Sequence, residues 1–350
     1  MIEDMNGMSC ALPHESSSVI RLGHGSGGKM TGNLIENVLL PILGNDVLSQ
    51  LEDAAIVSAP GLQLAVTTDS YVVSPIFFPG GDIGSVAVHG TVNDLAMRGA
   101  QPLAITAAFI LEEGLPIADL SRIAESMRDA CRKCNVQLIA ADTKVVGRGS
   151  ADRIFITTTG IGAVQMSPPP SVAAAQTGDL IVINGDIGRH GMAIMAAREG
   201  IDLETTILSD SAPLHEVVQE LAALAVPLHC LRDITRGGLA SVLNEIAIAS
   251  RRGIVIQEAD IAIDPQVRAV CELLGLDPLY VACEGRFVSV VDPLKVEELL
   301  SARSEVCELR SFRVIGRVVD EHPGRVVLRS LIGGNRIVDK LSGEQLPRIC

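Results

Sequence analysis

A chain of 350 residues that is 47% hydrophobic holds enough apolar material for two cores, while an aromatic share of 2% leaves almost no platforms on which bases could stack. Its formal charge of −14 repels phosphate backbones and anionic membranes, which excludes nucleic acid and membrane surfaces as partners. No apolar run approaches the roughly 20 residues of a membrane span, and the acidic opening MIEDMNGMSCALPHESSS is neither a signal nor a transit peptide, so a cytoplasmic location is expected.

Residues 1–18 read as a flexible N-terminal extension, followed by a first domain over 19–167. Early in it, GHGSGGKM satisfies most of a P-loop pattern. Met30 stands where that loop needs Ser or Thr for Mg²⁺, so what remains is a Gly-rich loop (Gly25, Gly27, Gly28) with Lys29, leading into the helix GNLIENVLLPIL. On this stretch alone, an anion trap and a plain hinge weigh equally. The strands LQLAVTT, PLAITAAFIL, VQLIAA and RIFITTTGIGAV are rich in β-branched residues and alternate with the helices IGSVAVHGTVNDLAMRG and LSRIAESMRDACRKCN. Cys131 and Cys134 resemble a C-x-x-C pair, but no second pair completes a zinc site and the periodicity is helical, so both are read as ordinary helix residues.

Pro168, Pro169 and Pro170 can continue neither a ladder nor a helix, and they mark a boundary. A second α/β domain over 168–330 follows. It contains the strands DLIVING, FVSVVD and FRVIGRVV, and helices after Gly191, from Pro213 to Ala225 and from Gly238 to Ser250. Residues 331–350 show no sustained period and read as a flexible arm ending in LPRIC, with Cys350 as its last residue. Both domains therefore read as mixed α/β units.

Acidic residues carry the chemistry. Asp69 follows LQLAVTT and Asp142 follows VQLIAA, at strand ends where α/β folds bind ligands. Asp53 precedes another apolar run, and Asn93 and Asp94 lie inside an apolar helix, where an unpaired polar group is costly. Singly each is a cap or turn residue. As a set, these hard oxygen donors suit Mg²⁺ and its phosphates. Lys144 is two residues beyond Asp142, Thr235, Arg236, Gly237 and Gly238 open a helix suited to a phosphate, and Glu284 stands at a strand entry.

The motifs EDAAIV, TTDSYVVSP, TVNDLAMRGA, AADTKVV and DITRGGL, in this order, resemble the ATP-binding superfamily of aminoimidazole ribonucleotide synthetase, selenophosphate synthetase and thiamine monophosphate kinase. Within it, HGSGGK, FFPGGDIG, FILEEGLP, DTKVVGRG, VCELLGLDPL and the terminal PRIC are similar to the HypE family of hydrogenase maturation carbamoyl dehydratases, over residues 19–350. The resemblance implies an α+β subunit of two mixed α/β domains, in a homodimer joined through its N-terminal domains. Mg-ATP would be held by Asp53, Asp69, Asp94 and Asp142, with Asn93 and Thr143 beside them and Lys29 closing over. Cys350 would carry a carbamoyl group delivered by the transferase HypF. Its dehydration to a thiocyanate, with Glu284 and Lys144 handling the amide protons, would supply cyanide to iron on HypC–HypD. Two rivals stand beside this reading: a selenophosphate synthetase, weakened by the thiol-free loop GHGSGGK, and a scaffold or metallochaperone using Cys350 as a single soft ligand.

Overall fold

The computed structural model describes residues 19–201, 206–223, 227–300, 312–341, 343, 346 and 348–350. The expected N-terminal extension, 1–18, lies outside them. After a broken helical run, α1 (Lys29–Leu34) and α2 (Leu40–Leu43), the first domain forms β1 (Ala55–Ala59), β2 (Leu62–Tyr71), a small hairpin of β3 (Phe77–Phe78) and β4 (Gly81–Asp82), α3 (Ile83–Met97), β5 (Ala100–Glu112), α4 (Ile117–Lys133), β6 (Gln137–Val146) and β7 (Ile154–Val164). Its five-stranded sheet has the order β1-β2-β7-β5-β6.

One face of that sheet is covered and the other is open. Ala65, Thr67, Tyr71, Ile105, Ala107, Ile154, Ile156 and Thr158 point into the covered face, against α3 and α4. Helix α3 is buried on nearly every side, and its small residues allow this: at Gly90 an added Cβ would lie 2.3 Å from the Tyr71 hydroxyl. Asp82 caps this helix by accepting from the amides of Gly84 and Ser85 at 2.7 and 3.0 Å. Helix α4, by contrast, is amphipathic and buries Ile123, Met127, Ala130 and Cys131. Cys134, at its C-cap, is also buried, and desolvation pushes its thiol up to about 12, which suits an inert core residue. The open face presents Val57, Leu62 and Ile110 exposed, and Leu64, Val66 and Ile161 half-buried.

The second domain contains β8 (Leu180–Ile183), α5 (Arg189–Glu199), α6 (His215–Ala223), β9 (Leu228–Asp233), α7 (Gly238–Ser250), β10 (Gly253–Gln257), α8 (Pro265–Leu274), β11 (Phe287–Val291), α9 (Val296–Leu300), β12 (Arg313–Val319), β13 (Val326–Arg329) and β14 (Asn335–Val338). Seven of these strands build one mixed sheet, β14-β13-β10-β12-β8-β11-β9. Strand β14 corrects the expectation of a structureless arm from residue 331. Residues 335–338 pair antiparallel with β13, and Val338 is fully buried. The sequence conceals this because Gly333 and Gly334 form the turn while Asn335 and Arg336 face solvent. No helix among the described residues is long and apolar enough to cross a membrane.

A buried ion pair ties the linker to the first domain. Arg98 lies 2.9 Å from Glu52, with both side chains almost wholly buried. Arg98 also donates to the Pro170 carbonyl at 2.5 Å, and Glu52 accepts from the Ser171 hydroxyl and the Val172 amide. Removing one partner strands a buried charge, so Glu52→Ala should lower unfolding stability by about 3–5 kcal/mol in urea titration.

Candidate functional site

The site forms where the covered face of the first domain meets the edge strand β9 and helix α7 of the second. Loop residue Asp53, Asp94 near the end of α3, and Asp233 at the end of β9 each offer a carboxylate oxygen within 4.8 Å of the others. Asp69, Tyr71, Thr235, Arg236, Glu284 and Cys350 line the same pocket. Asp69 shares the covered face because it pairs across the sheet with buried Thr158, and it accepts from the Tyr71 hydroxyl at 3.1 Å. Thr67 donates to Asp94 at 2.6 Å and lies 3.0 Å from the Asp53 carbonyl.

This gathering of negative charge is offset by arginine. Arg232 on β9 reaches back across the domain boundary to Asp53 at 2.8 Å and binds Glu245 of α7 at 2.9 Å. Even so, burial raises the carboxyl pKa of Asp53 well above the ordinary range, against the pull of Arg232. Burial and the neighbouring carboxylates Asp69, Asp233 and Asp53 raise Asp94 as well. Asp233 is pushed up to about 7, first by burial and then by Asp69 despite Arg232. Asp53 Oδ2, Asp233 Oδ2 and Glu284 Oε1 are buried without a hydrogen-bond partner. Buried carboxylate oxygens left unpaired, beside raised proton affinities, are what a hard divalent cation would satisfy, and Asp53, Asp94 and Asp233 fit Mg²⁺.

The structure separates some residues that the sequence grouped. Asp142 and Lys144 do not join the pocket. The expected strand VQLIAA runs on to Val146 as the exposed edge strand, and Asp142 and Lys144 pair with Ala108 and Ile110 on the open face. Thr143 on the same edge is exposed. Asn93 is also corrected: its amide is spent on the backbone, donating to Ala212 at 3.1 Å and accepting from Leu214 at 2.8 Å, so it braces the loop that precedes α6. The Gly-rich loop is not an open anion trap. The Gly27 amide donates to Thr31, Gly28 to Ser26 and Lys29 to the Leu341 carbonyl, and the Lys29 ammonium pairs with Asp339 at 2.5 Å. Instead the loop lies on the turn before α7, where Ser241 donates to the Gly27 carbonyl at 3.1 Å. Gly237 and Gly238 hold that turn in the left-handed region, and at Gly238 an added Cβ would lie 2.5 Å from the Leu279 carbonyl.

Asp233 and Arg232 were missed as site residues, whereas Arg236, expected beside Thr235 at the phosphate-suited helix start, lines the carboxylate pocket. Asp233 carries the strand-end signal used for Asp69, but DITRGGL drew attention to its glycines. Nothing local marks Arg232, whose partner lies 179 positions earlier in a different domain.

The tail is the larger surprise. Instead of a free arm, Cys350 lies half-buried in its own chain's pocket. Val72 donates to a main-chain oxygen of Cys350 at 3.2 Å and Ser74 to the Arg348 carbonyl at 3.0 Å, so residues 348–350 form an antiparallel bridge at Val73, just past β2. Ile349 is 3% exposed within the first domain's core. Burial pushes the Cys350 thiol up to about 12, with Arg236 pulling the other way. A cleft of about 250 Å³, lined by Gly25, Ser26, Arg236, Tyr280 and the tail, opens next to the thiol.

Two domains with this topology, meeting at a carboxylate cluster, define a class. The model of the AIR synthase related N-terminal domain matches residues 51–164, and that of the C-terminal domain matches residues 176–329. Similarity is much higher to one branch. Carbamoyl dehydratase HypE of Cupriavidus necator is 49% identical over 335 residues, covering 95% of each chain. The crystal structure of a HypE–HypF complex has a TM-score of 0.83 at 44% identity, covering 88% of this chain and 99% of that one. HypE in complex with ATP has a TM-score of 0.80 at 44% identity, covering 93% of this chain and 98% of that one. The chain belongs to the HypE family within the AIR synthase related proteins.

The raised value at Asp233 sets a pH dependence. A cation must displace its proton, so Mg²⁺ binding should tighten from pH 6 to pH 8 with proton release, read by calorimetry in two buffers. Because the folded value exceeds the unfolded one, the cation-free protein loses this stabilisation as pH rises from the ordinary carboxylate range through about 7. Mg²⁺ should therefore raise Tm more at pH 8 than at pH 6, and Asp233→Asn should flatten the difference.

Proposed function

We propose that the protein is an ATP-dependent carbamoyl dehydratase whose substrate is a carbamoyl group on its own Cys350, loaded by HypF. The thiocyanate formed there would pass its cyanide to iron on HypC–HypD in the cytoplasm. What supports this reading most is the location of the Cys350 sulfur, in one pocket with Asp69, Asp94, Asp233 and Glu284.

Oxygen is a poor leaving group from an S-bound carboxamide, and phosphorylation makes it a good one. The amide oxygen attacks the γ-phosphorus of ATP, ADP departs, and nitrogen gives up one proton, leaving an S-bound iminophosphate. Collapse of that species breaks the C–O bond, sends the second N–H proton to the departing phosphate and forms the nitrile. Mg²⁺ on Asp53, Asp94 and Asp233 would neutralise triphosphate charge when bound. Arg236 lies on the pocket wall near Cys350 and would pair with phosphate oxygens as that charge develops.

Glu284 is the proton acceptor in this scheme. Its side chain is 4% exposed, its Oε1 is unpartnered, and its amide is fixed by donating to Asp210 at 3.1 Å. Burial, then Asp233 and Asp210, raise its pKa well above the usual carboxyl value, which makes it a stronger base toward an amide N–H. Lys144 and Asp142 have a different position. They stand on the apolar open face of the first sheet, which a second copy of the chain would cover in a homodimer, and their access to a nucleotide depends on that copy.

The decisive experiment mixes the protein with HypF, carbamoyl phosphate and ATP and follows the C-terminal peptide by mass spectrometry. Carbamoylation and then loss of water at Cys350 are expected; metal uptake with neither change would overturn the reading. Glu284→Gln should slow dehydration by about 10²–10⁴-fold while leaving carbamoylation and nucleotide affinity intact. For the dimer, Val57→Glu combined with Ile110→Glu should shift the protein to monomer in sedimentation, and an unchanged sedimentation coefficient would reject this interface.

A further inference from the structure

Helix α5 takes no part in the acidic cluster, yet two of its residues read the backbone of the tail. His190 is completely buried, with its ring edge-on to Phe78 at a centroid distance of 5.5 Å. Its two nitrogens have different partners. The Ser211 amide donates to the Ser209 hydroxyl oxygen at 3.1 Å, which leaves the Ser209 proton free to go to His190 Nδ1 at 2.8 Å. The Ile349 carbonyl can only accept, which fixes the tautomer: Nε2 carries the ring proton and donates it there at 2.6 Å, and Nδ1 of the neutral ring accepts from Ser209. Burial lowers the imidazole pKa, in keeping with a neutral ring. Two turns further along, Arg198 donates to the Arg348 carbonyl at 3.0 Å and, through the same nitrogen, to Ser74 at 2.5 Å, clipping the tail to the strand it pairs with.

We infer that His190 is a positioning residue for the reaction at Cys350: oriented by Ser209 and seconded by Arg198, it latches the Ile349 carbonyl and so holds the terminal sulfur in the chain's own pocket. The inference rests on the dehydratase reading for its purpose, though the latch itself is a property of the tail. The contacts that His190 and Arg198 make with the tail go to main-chain carbonyls, one and two residues short of the thiol. They therefore fix where the sulfur sits and leave its substituent untouched. Holding a reactant in place raises its effective concentration without new chemistry, and a latch made only of hydrogen bonds can still release the tail to a partner.

A histidine that merely fills the core predicts something else, and two measurements separate the cases. In the full-length protein, without partner or nucleotide, His190→Leu should speed iodoacetamide labelling of Cys350, read at the C-terminal peptide, by roughly tenfold or more, the equivalent of one lost buried hydrogen bond. Single-turnover dehydration of the carbamoylated protein should fall by a similar factor while nucleotide affinity is unchanged. His190→Gln, which keeps a donor near the Nε2 position, should recover most of both effects. Should His190→Leu fail to fold, Ser209→Ala tests the same proton order and should show both changes at several-fold size. Unchanged labelling, a Gln variant no better than Leu, or a parallel fall in nucleotide affinity would each overturn the latch. Labelling requires no carbamoyl group, so it judges the latch even where the dehydratase reading fails.

Discussion

The ion pair between Arg232 and Asp53 is the contact on which the arrangement turns. Two domains approach with carboxylates on both facing edges, Asp53, Asp69 and Asp94 from one and Asp233 and Glu284 from the other. Without a counter-ion the edges would repel. Arg232 projects from the second domain into the first and spends its remaining donors on Glu245 and the Leu51 carbonyl. One guanidinium cannot neutralise five carboxyl groups, so the cluster keeps raised proton affinities and unpaired oxygens. That residual electrostatic strain is what gives the pocket an appetite for a divalent cation and a basic Glu284.

Around that contact the chain is organised by domain closure. Glu52, next to Asp53, is locked to Arg98 and to the start of the linker, so the loop bearing the acidic residue is anchored from both sides. Asn93, one residue before Asp94, spends its amide on the second domain's backbone. The residues beside the two first-domain carboxylates are therefore braces, and Asp53, though paired with Arg232 through one oxygen, keeps its Oδ2 unpartnered.

The tail obeys the same logic. A thiol pushed up to about 12 is a weak nucleophile while docked, and under the proposed function loading would take place with the tail released. Under the same proposal, docking would place the loaded sulfur beside the groups assigned to phosphorylation and proton removal. Reactivity is thus withheld in the docked state by burial among carboxylates, and the hydrogen-bonded bridge at Val73 and Ile349 is small enough to open.

Much of this was legible in the chain. β-branched runs gave the strands, Asn93-Asp94 in an apolar helix betrayed a polar site, the three prolines marked the linker, and PRIC with the ordered motifs carried the family resemblance. Period and composition are local properties, and a sequence displays them directly. Which face a strand residue takes is settled only by pairing: Asp69 and Asp142 both looked like strand-end carboxylates, but register sends one to the covered face and the other to the open one. Likewise Asp233 and Arg232 acquire their roles through partners in the other domain, and the tail's contacts with His190 and Arg198 span 159 and 150 positions. The sequence by itself determined the element types, the acidic inventory and the terminal thiol, because each follows from local residue chemistry. Only the tertiary structure decided which carboxylates meet, which cation offsets them and where the sulfur rests, because electrostatic energy depends on distances in space that chain order does not encode.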